Sequence, residues 1–280
     1  MKALVRDPQR AGLSGDSIKL ITGDLHNTTA LEQLLDGSDA VVHCAGSVRG
    51  ASYRDFESTN VEGTRNLLHT MALSGSSRLL MFSSIVAREP GLSWYSRSKA
   101  EAERCLREEA QELQWTILRP PAVYGPGDKE MEPIFQAMAR GLATAPGDPE
   151  ARNSLIHVDD LVSLSLHCLE NDSSVGRVFE CSDGQEDGYS WHDLARVASE
   201  VYQRPVRCLR VPAPLLDATA WLILRWSRLT GSAPMLTPPK LRELRHPDWV
   251  SDETALKQNL DWNPLIGLKE GLQRLNDSAL

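Results

Sequence analysis

A chain of 280 residues, 41% hydrophobic and 24% charged, has the content of a soluble globular protein and the length for a sizeable core, as one large domain or one domain plus a lobe. Its net charge of −8 gives no electrostatic case for nucleic acid or for an anionic membrane. The N-terminus lacks the charged–apolar–small order of a secretory leader. Five scattered cysteines (Cys44, Cys105, Cys168, Cys181, Cys208) have neither metal-ligand nor redox-motif spacing, and read as reduced thiols of a cytoplasmic protein.

The chain opens on an apolar burst, Ala3-Leu4-Val5, that ends in Arg6-Asp7-Pro8. That is a buried strand running into a turn. "IKLITGDL" (18–25) predicts a second strand, and "NTTALEQLLDG" (27–37) a helix with a polar start and Gly37 as its stop. "DAVVHCAG" (39–46) is a buried strand ending in small residues, followed by a helical pattern over 53–73 with Gly75 beyond it. "RLLMFSS" (78–84) is a strand, 94–113 is helical, and "WTILRPPAVYGPG" (115–127) is a strand that breaks into a Pro/Gly loop. The apolar runs are continuous rather than alternating, as expected of parallel strands covered on both faces.

Strand–helix alternation of this kind predicts a doubly wound α/β, Rossmann-type parallel sheet. It occupies 1–150, with 154–182 returning to the sheet. From 183 to 280 the pattern is helix-rich, with proline breaks near 205, 212–214 and 238–239, and reads as a smaller C-terminal substrate lobe. Its most apolar stretch, "VPAPLLDATAWLILRW" (211–226), is interrupted by Asp217 and Arg225 and falls short of the roughly 20 residues of a membrane span. The plain reading is a lobe helix over a substrate cleft; lying on a membrane surface is the second.

The stretch richest in chemistry is "FSSIVAREPGLSWYSRSKAEAE". Tyr95 and Lys99 are four apart on a predicted helix and share a face. Ser84 stands where a strand runs out, at the strand end where parallel α/β sheets bind ligands. A free tyrosine titrates near about 10 and handles protons poorly at neutral pH; a nearby ammonium favours the phenolate. So tuned, Tyr95 can exchange a proton with an alcohol or carbonyl while the Ser84 hydroxyl holds that oxygen, and the hydride must come from a cofactor. A chance Tyr–Lys pair on a surface helix is the competing reading. The upstream serine and the "LRPPAVYGPG" break weigh against it.

Together these residues resemble the extended short-chain dehydrogenase/reductase family, also described as NAD-dependent epimerases/dehydratases, over nearly the whole chain. In that resemblance Ser84, Tyr95 and Lys99 match the catalytic triad. Lys99 would both lower the Tyr95 pKa and hydrogen-bond the nicotinamide ribose. "GDL" looks like the turn that meets the adenine, which implies Asp24 and Leu25 as contacts. "VVHCAG" looks like the strand whose end passes under the cofactor, at Cys44, Ala45 and Gly46. "NVEGT" places Asn60 behind the nicotinamide, and "LRPPAVYGPGD" resembles the flanking loop, with Pro120 and Val123. "HVDDL" (157–161) matches the return to the sheet, and "LDWNPLIGLKEGL" (260–272) the family's usual ending.

Plainer readings stand beside several of these. Asp24 also suits a turn that satisfies its own backbone, and Asn60 equally suits a local bridge. Gly63 inside a helix costs about 1 kcal/mol against Ala, which close packing of helix on sheet would explain. His43 and His157 read as core histidines, and Asp159-Asp160 as a helix start rather than a metal site. Arg6 ends a strand where an acidic residue suits NAD and an arginine suits the 2′-phosphate of NADP, so the lean is to NADP; a solvent-facing turn charge is the alternative.

The family's opening strand, TGxxGxxG turn and first helix have no counterpart here. Gly12, Gly15 and Gly23 follow no strand–turn–helix pattern. The segment would be central in a 3-2-1-4-5-6 sheet, so 2–6 and 39–45 are expected to lack their shared neighbour. A start assigned inside a longer frame, a fragment, and a chain that has lost the segment all fit, the first two better because the downstream triad is intact. The expected activity is an NAD(P)-dependent oxidoreductase or epimerase on a small alcohol or carbonyl, nearer the hydroxysteroid and dihydroflavonol-reductase branch than the nucleotide-sugar branch, in a chain compatible with a homodimer. A non-catalytic Rossmann-like sensor or scaffold is the alternative.

Overall fold

The computed structural model describes residues 1–278 apart from 14, 16 and 111. Parallel strands β1 (Lys2–Val5) and β2 (Lys19–Thr22) pair with each other. Helix α1 (Thr28–Leu35) starts at Asn27, whose side chain accepts a hydrogen bond from the Ala30 amide, and leads to β3 (Ala40–His43). Next come α2 (Tyr53–Phe56), a π-helical turn over Glu57–Glu62, and α3 (Gly63–Ser74). Gly75 ends that run in the left-handed region at φ 77°, as helix stops require. Strand β4 (Arg78–Phe82) precedes α4 (Trp94–Glu109), which Ser93 and Ser96 start with a reciprocal cap. Strand β5 (Gln114–Arg119) completes the core of the main sheet.

Short strands β6 (Ala122–Tyr124), β7 (Leu142–Ala145), β8 (Arg152–Asn153) and β9 (Leu155–His157) follow, with α5 (Glu132–Ala139) between β6 and β7. Helix α6 (Val158–Glu170) returns the chain to β10 (Arg177–Glu180). Beyond lie α7 (Trp191–Val201), β11 (Arg207–Arg210), α8 (Ala213–Thr230), α9 (Pro238–Leu244), β12 (Asp248–Trp249), α10 (Thr254–Asn259) and α11 (Leu268–Ser278).

The main sheet has the order β10-β5-β4-β3, all parallel, and β1-β2 forms a separate two-stranded sheet. Three more parallel pairs, β6-β9, β7-β11 and β8-β12, extend the structure away from it. The doubly wound expectation holds, and so does the expected break between residues 2–6 and 39–45: β3 is an edge strand. One expectation fails there. The run Ala40-Val41-Val42-His43 reads as covered on both faces, yet Ala40 is exposed and Val42 is 45% exposed, because β3 is an edge strand and that face of it stays open to water.

The core on the other face joins Leu31, Leu35, Leu67, Met71, Leu79, Met81 and Leu106. Gly63 sits over Leu25: a Cβ there would lie 2.7 Å from Leu25 Cδ1, so the close approach expected for this mid-helix glycine is present. The chain after 182 serves two places. Leu256, Leu260 and Trp262 pack with Leu80, Leu118 and Phe179 on the main sheet, whereas α7 and α11 pack around Tyr124 and Leu155.

Candidate active site

The parallel register sets the carboxyl ends of β3, β4 and β5 side by side. His43 is opposite Met81, and Phe82 opposite Leu118. The chain leaving β4 stays tied to the chain leaving β5: the Ser83 amide donates to the Leu118 carbonyl at 2.7 Å, and the Ile85 amide to the buried Pro120's carbonyl at 3.0 Å. Ser84 is therefore fixed at a strand end, where it caps the short 3₁₀ turn Ile85–Arg88.

Tyr95 and Lys99 come from the first turns of α4. Ser84 faces the half-buried Tyr95 phenol closely enough to pull its pKa down, against burial and Glu243. Lys99 is buried, and its Nζ donates to the Phe82 carbonyl at 2.7 Å. Burial lowers the Lys99 pKa to about 8, against the opposing fields of Glu103 and Cys44. The sequence expectation was that Lys99 lowers the Tyr95 pKa. Instead burial and the Glu243 carboxylate raise it, with Ser84 pulling the other way, and Lys99 acts on His43 and Cys44.

Asn60 clips the loop after β3. Its Oδ1 accepts from the Ser47 amide at 2.6 Å, and its Nδ2 donates to the Ser47 carbonyl at 3.0 Å and to Ser98 Oγ at 2.8 Å. Ser98 in turn donates to the Tyr95 carbonyl at 2.8 Å. The bridging reading of Asn60 is thus present, and it ties the Cys44–Ala45–Gly46 loop to the helix that carries Tyr95 and Lys99. Asn60 lies in the π-helical turn, a local irregularity that recurs at functional sites. A Cβ on Gly46 would fall 3.3 Å from Asn60 Oδ1 and 3.6 Å from Lys99 Nζ. His43, beneath this loop, is buried and bonded to Thr64 Oγ1 at 2.9 Å. Burial and Lys99 lower its pKa to about 3, so it is a neutral core histidine.

Arg6 and Asp24 stand apart from this cluster. Both are exposed, Arg6 just past β1 and Asp24 just past β2. Asp24 Oδ1 accepts from the His26 amide at 2.9 Å, an Asx-turn. Leu25 is buried under Gly63, and Val123 packs into the core beside Leu118 and Ile156. His157 is also core: its Nδ1 accepts from the Asp159 amide at 3.2 Å at the start of α6. Asp160 accepts from the Leu265 and Ile266 amides at 3.0 and 2.9 Å, and so does more than start a helix.

Two features escape sequence reading. The first is a charged layer behind Ser84. Buried Glu103 takes a two-point contact from Arg119 at 2.8 and 2.7 Å, is paired with Arg107, and accepts from Ser83 Oγ at 2.5 Å. Arg119 and Arg88 both approach Glu180, at 3.7 and 3.3 Å. The second is α9. Lys240 Nζ stands 5.1 Å from the Tyr95 ring centre and pairs with Glu243, which also bonds Ser93. The start of α9 is legible in Thr237-Pro238-Pro239; its landing on Tyr95 is not.

These residues fit the nicotinamide–ribose end of a dinucleotide. The bare Gly46 surface lies against Asn60 and Lys99, and any side chain there would fill it. Among the described residues no glycine-rich strand–turn–helix offers a pyrophosphate cradle. What the fold defines is a Rossmann-type protein, and the candidate cluster lies at the carboxyl ends of its parallel strands. The chain belongs to the NAD dependent epimerase/dehydratase family, whose model matches residues 3–182.

The chain is 32% identical over 256 residues to the ceramide reductase of Caulobacter vibrioides (strain NA1000 / CB15N), spanning 91% of this chain and 79% of that one. It is 26% identical over 316 residues to 3beta-hydroxysteroid-dehydrogenase/decarboxylase isoform 1 of Arabidopsis thaliana, spanning 99% and 71%. In fold it resembles MoeE5 in complex with UDP-glucose and NAD, with a TM-score of 0.75 at 21% identity over 100% of this chain and 91% of that one.

Proposed function

We propose that the chain is an NAD(P)-dependent oxidoreductase that interconverts an alcohol and a carbonyl on a lipophilic substrate. The observation that carries this is Ser84 held at a strand end beside Tyr95, with Lys99 buried one turn further along the same helix face and donating to the Phe82 carbonyl. The names of the reductase and hydroxysteroid relatives support a lipid rather than a sugar nucleotide. Ser84 holds the substrate oxygen. Tyr95, kept protonated through neutral pH by burial and by Glu243, donates its proton to that oxygen as carbonyl becomes alcohol. Bound nicotinamide cofactor supplies the hydride. Gly46, Asn60 and Lys99 hold its nicotinamide–ribose end, and Arg6 past β1 favours a 2′-phosphate.

The test is oxidation of NADPH and NADH by the purified chain with a long-chain keto-sphingoid, a 3-ketosteroid and a UDP-sugar. Turnover on the lipids, lowered about 100-fold or more in Tyr95→Phe, is expected. Retained turnover in Tyr95→Phe would remove its role. Failure of the chain to bind either cofactor in a fluorescence titration would favour the non-catalytic reading.

A further inference from the structure

Helix α8 buries one face and leaves the opposite face apolar. Ala220, Leu224 and Ser227 are its buried residues. Leu215, Leu222, Trp226 and Leu229 are 60, 60, 67 and 82% exposed. At 3.6 residues per turn these four fall within an arc of about 60°, nearly opposite the buried three. A helix that is apolar on its outward face is unusual for a protein standing in water.

The charge around this face is not that of the chain. Residues 204–245 carry eight basic side chains and two acidic ones, in a chain of net charge −8. Asp217 is one of the two and is paired with Arg245 at 2.8 Å; Glu243 is the other and is buried against Lys240. Arg225 borders the apolar arc and stacks over the exposed Trp221 ring at 5.5 Å, with Arg228 further round the same side of the helix. Arg207 and Arg210 lie on β11, just before α8, together with exposed Leu209. Among the described residues Arg207, Arg210, Arg225 and Arg228 have no carboxylate partner.

We infer that α8 seats this protein on the surface of an anionic lipid bilayer. The stripe Leu215–Leu222–Trp226–Leu229 would enter the headgroup boundary, and the arginines beside it would meet lipid phosphates. Exposed tryptophan and leucine with flanking arginine is the composition of a helix that lies in the interface. No helix of the described chain is long and apolar enough to cross a membrane, which agrees with lying on it. The overall negative charge concealed this stretch, because the basic residues are gathered in one part of the chain, 204–245.

The end of the helix gives the docking a use. Ser227, Arg228 and Gly231 line an open depression of about 780 Å³ whose other wall includes Ser47, Arg49 and Asp55. Ser47 is the residue that Asn60 clips beside Gly46. A lipid leaving the bilayer at α8 would meet the loop over Lys99. The docking itself rests on α8 alone and does not depend on the proposed reaction.

Flotation of the full chain with vesicles of phosphatidylcholine, alone or mixed with phosphatidylglycerol, tests the inference. The chain is expected to float with the mixed vesicles, less with phosphatidylcholine alone, and less as salt rises. Leu222→Glu and Trp226→Glu, both at exposed positions, are expected to cut binding about tenfold or more with thermal melting unchanged, and Arg225→Glu/Arg228→Glu to remove the preference for anionic lipid. No flotation by the folded wild type, or flotation that survives Trp226→Glu, overturns the inference. So does sedimentation showing that Trp226→Glu splits a dimer while vesicle binding is nil, which would assign the face to a second copy of the chain.

Discussion

His43 is held neutral inside the fold, and that makes stability depend on pH over a defined window. Thr64 Oγ1 spends its single proton on the Asn60 carbonyl at 2.7 Å, so at 2.9 Å from His43 it accepts, and His43 Nε2 carries the proton. A second proton on the ring is opposed first by burial and then by the Lys99 ammonium. The folded pKa of about 3 lies below the 6.5 of a free imidazole, so the unfolded chain takes up the proton first. Stability is complete above the unfolded value and falls as pH drops from there toward the folded value. At about pH 5 the loss from this one site is about 2 kcal/mol. Urea unfolding at about pH 8 and about pH 5, in the wild type and in His43→Gln, isolates it, since glutamine keeps a donor for Thr64 but does not titrate. Wild type should lose about 2 kcal/mol more than the variant between the two conditions. Equal losses would refute the reasoning.

Two further perturbations probe the frame of the site. Glu103→Ala leaves Arg119 partly buried without its two-point partner and should cost about 3–5 kcal/mol in urea unfolding; a loss under about 1 kcal/mol would mean that Arg119 simply turns to Glu180. Gly63→Ala brings a methyl within 2.7 Å of Leu25 Cδ1 and 2.9 Å of Leu25 Cβ. The overpacking of about 1–3 kcal/mol should outweigh the helix gain of about 1 kcal/mol, and in a Leu25→Ala background the same change should be neutral or stabilising. A Gly63→Ala that stabilises both backgrounds alike would show that the helix has room to shift.

Sequence patterns exposed the strands and the spacing of Ser84, Tyr95 and Lys99 because those depend on neighbours along the chain. Coverage does not. Val42 sits in an unbroken apolar run and is still half in water, since what covers a strand is decided by a helix from elsewhere. Glu103 and Arg119 are sixteen residues apart on different elements, and nothing in either local pattern says that they meet. The same limit applies to Lys99. Its spacing puts it on the Tyr95 face, but the nearest acceptor is a backbone carbonyl at the end of β4, and the charges that shape the Tyr95 environment arrive from α9, about 145 residues later in the chain. Asn60, which the sequence reads evenly as a local bridge or a group behind the nicotinamide, makes the three hydrogen bonds of a bridge.

The break in the sheet bears on cooperativity. Among the described residues the β1-β2 pair shares no strand ladder with β3, and it holds to the rest of the fold through side chains: Leu4 against the core, Leu25 under Gly63, and Asn66 Nδ2 on the Leu25 carbonyl at 3.0 Å. A ladder opens one rung after another along its length, whereas a seam of side chains can part all at once. The β1-β2 unit can therefore open as a block and expose Leu4, Ile21 and the ends of both strands, while the paired amides of β3, β4, β5 and β10 stay shut. In this chain the region around Arg6 and Asp24 and the region around Tyr95 therefore need not share one stability, and the two parts of the fold breathe on separate clocks.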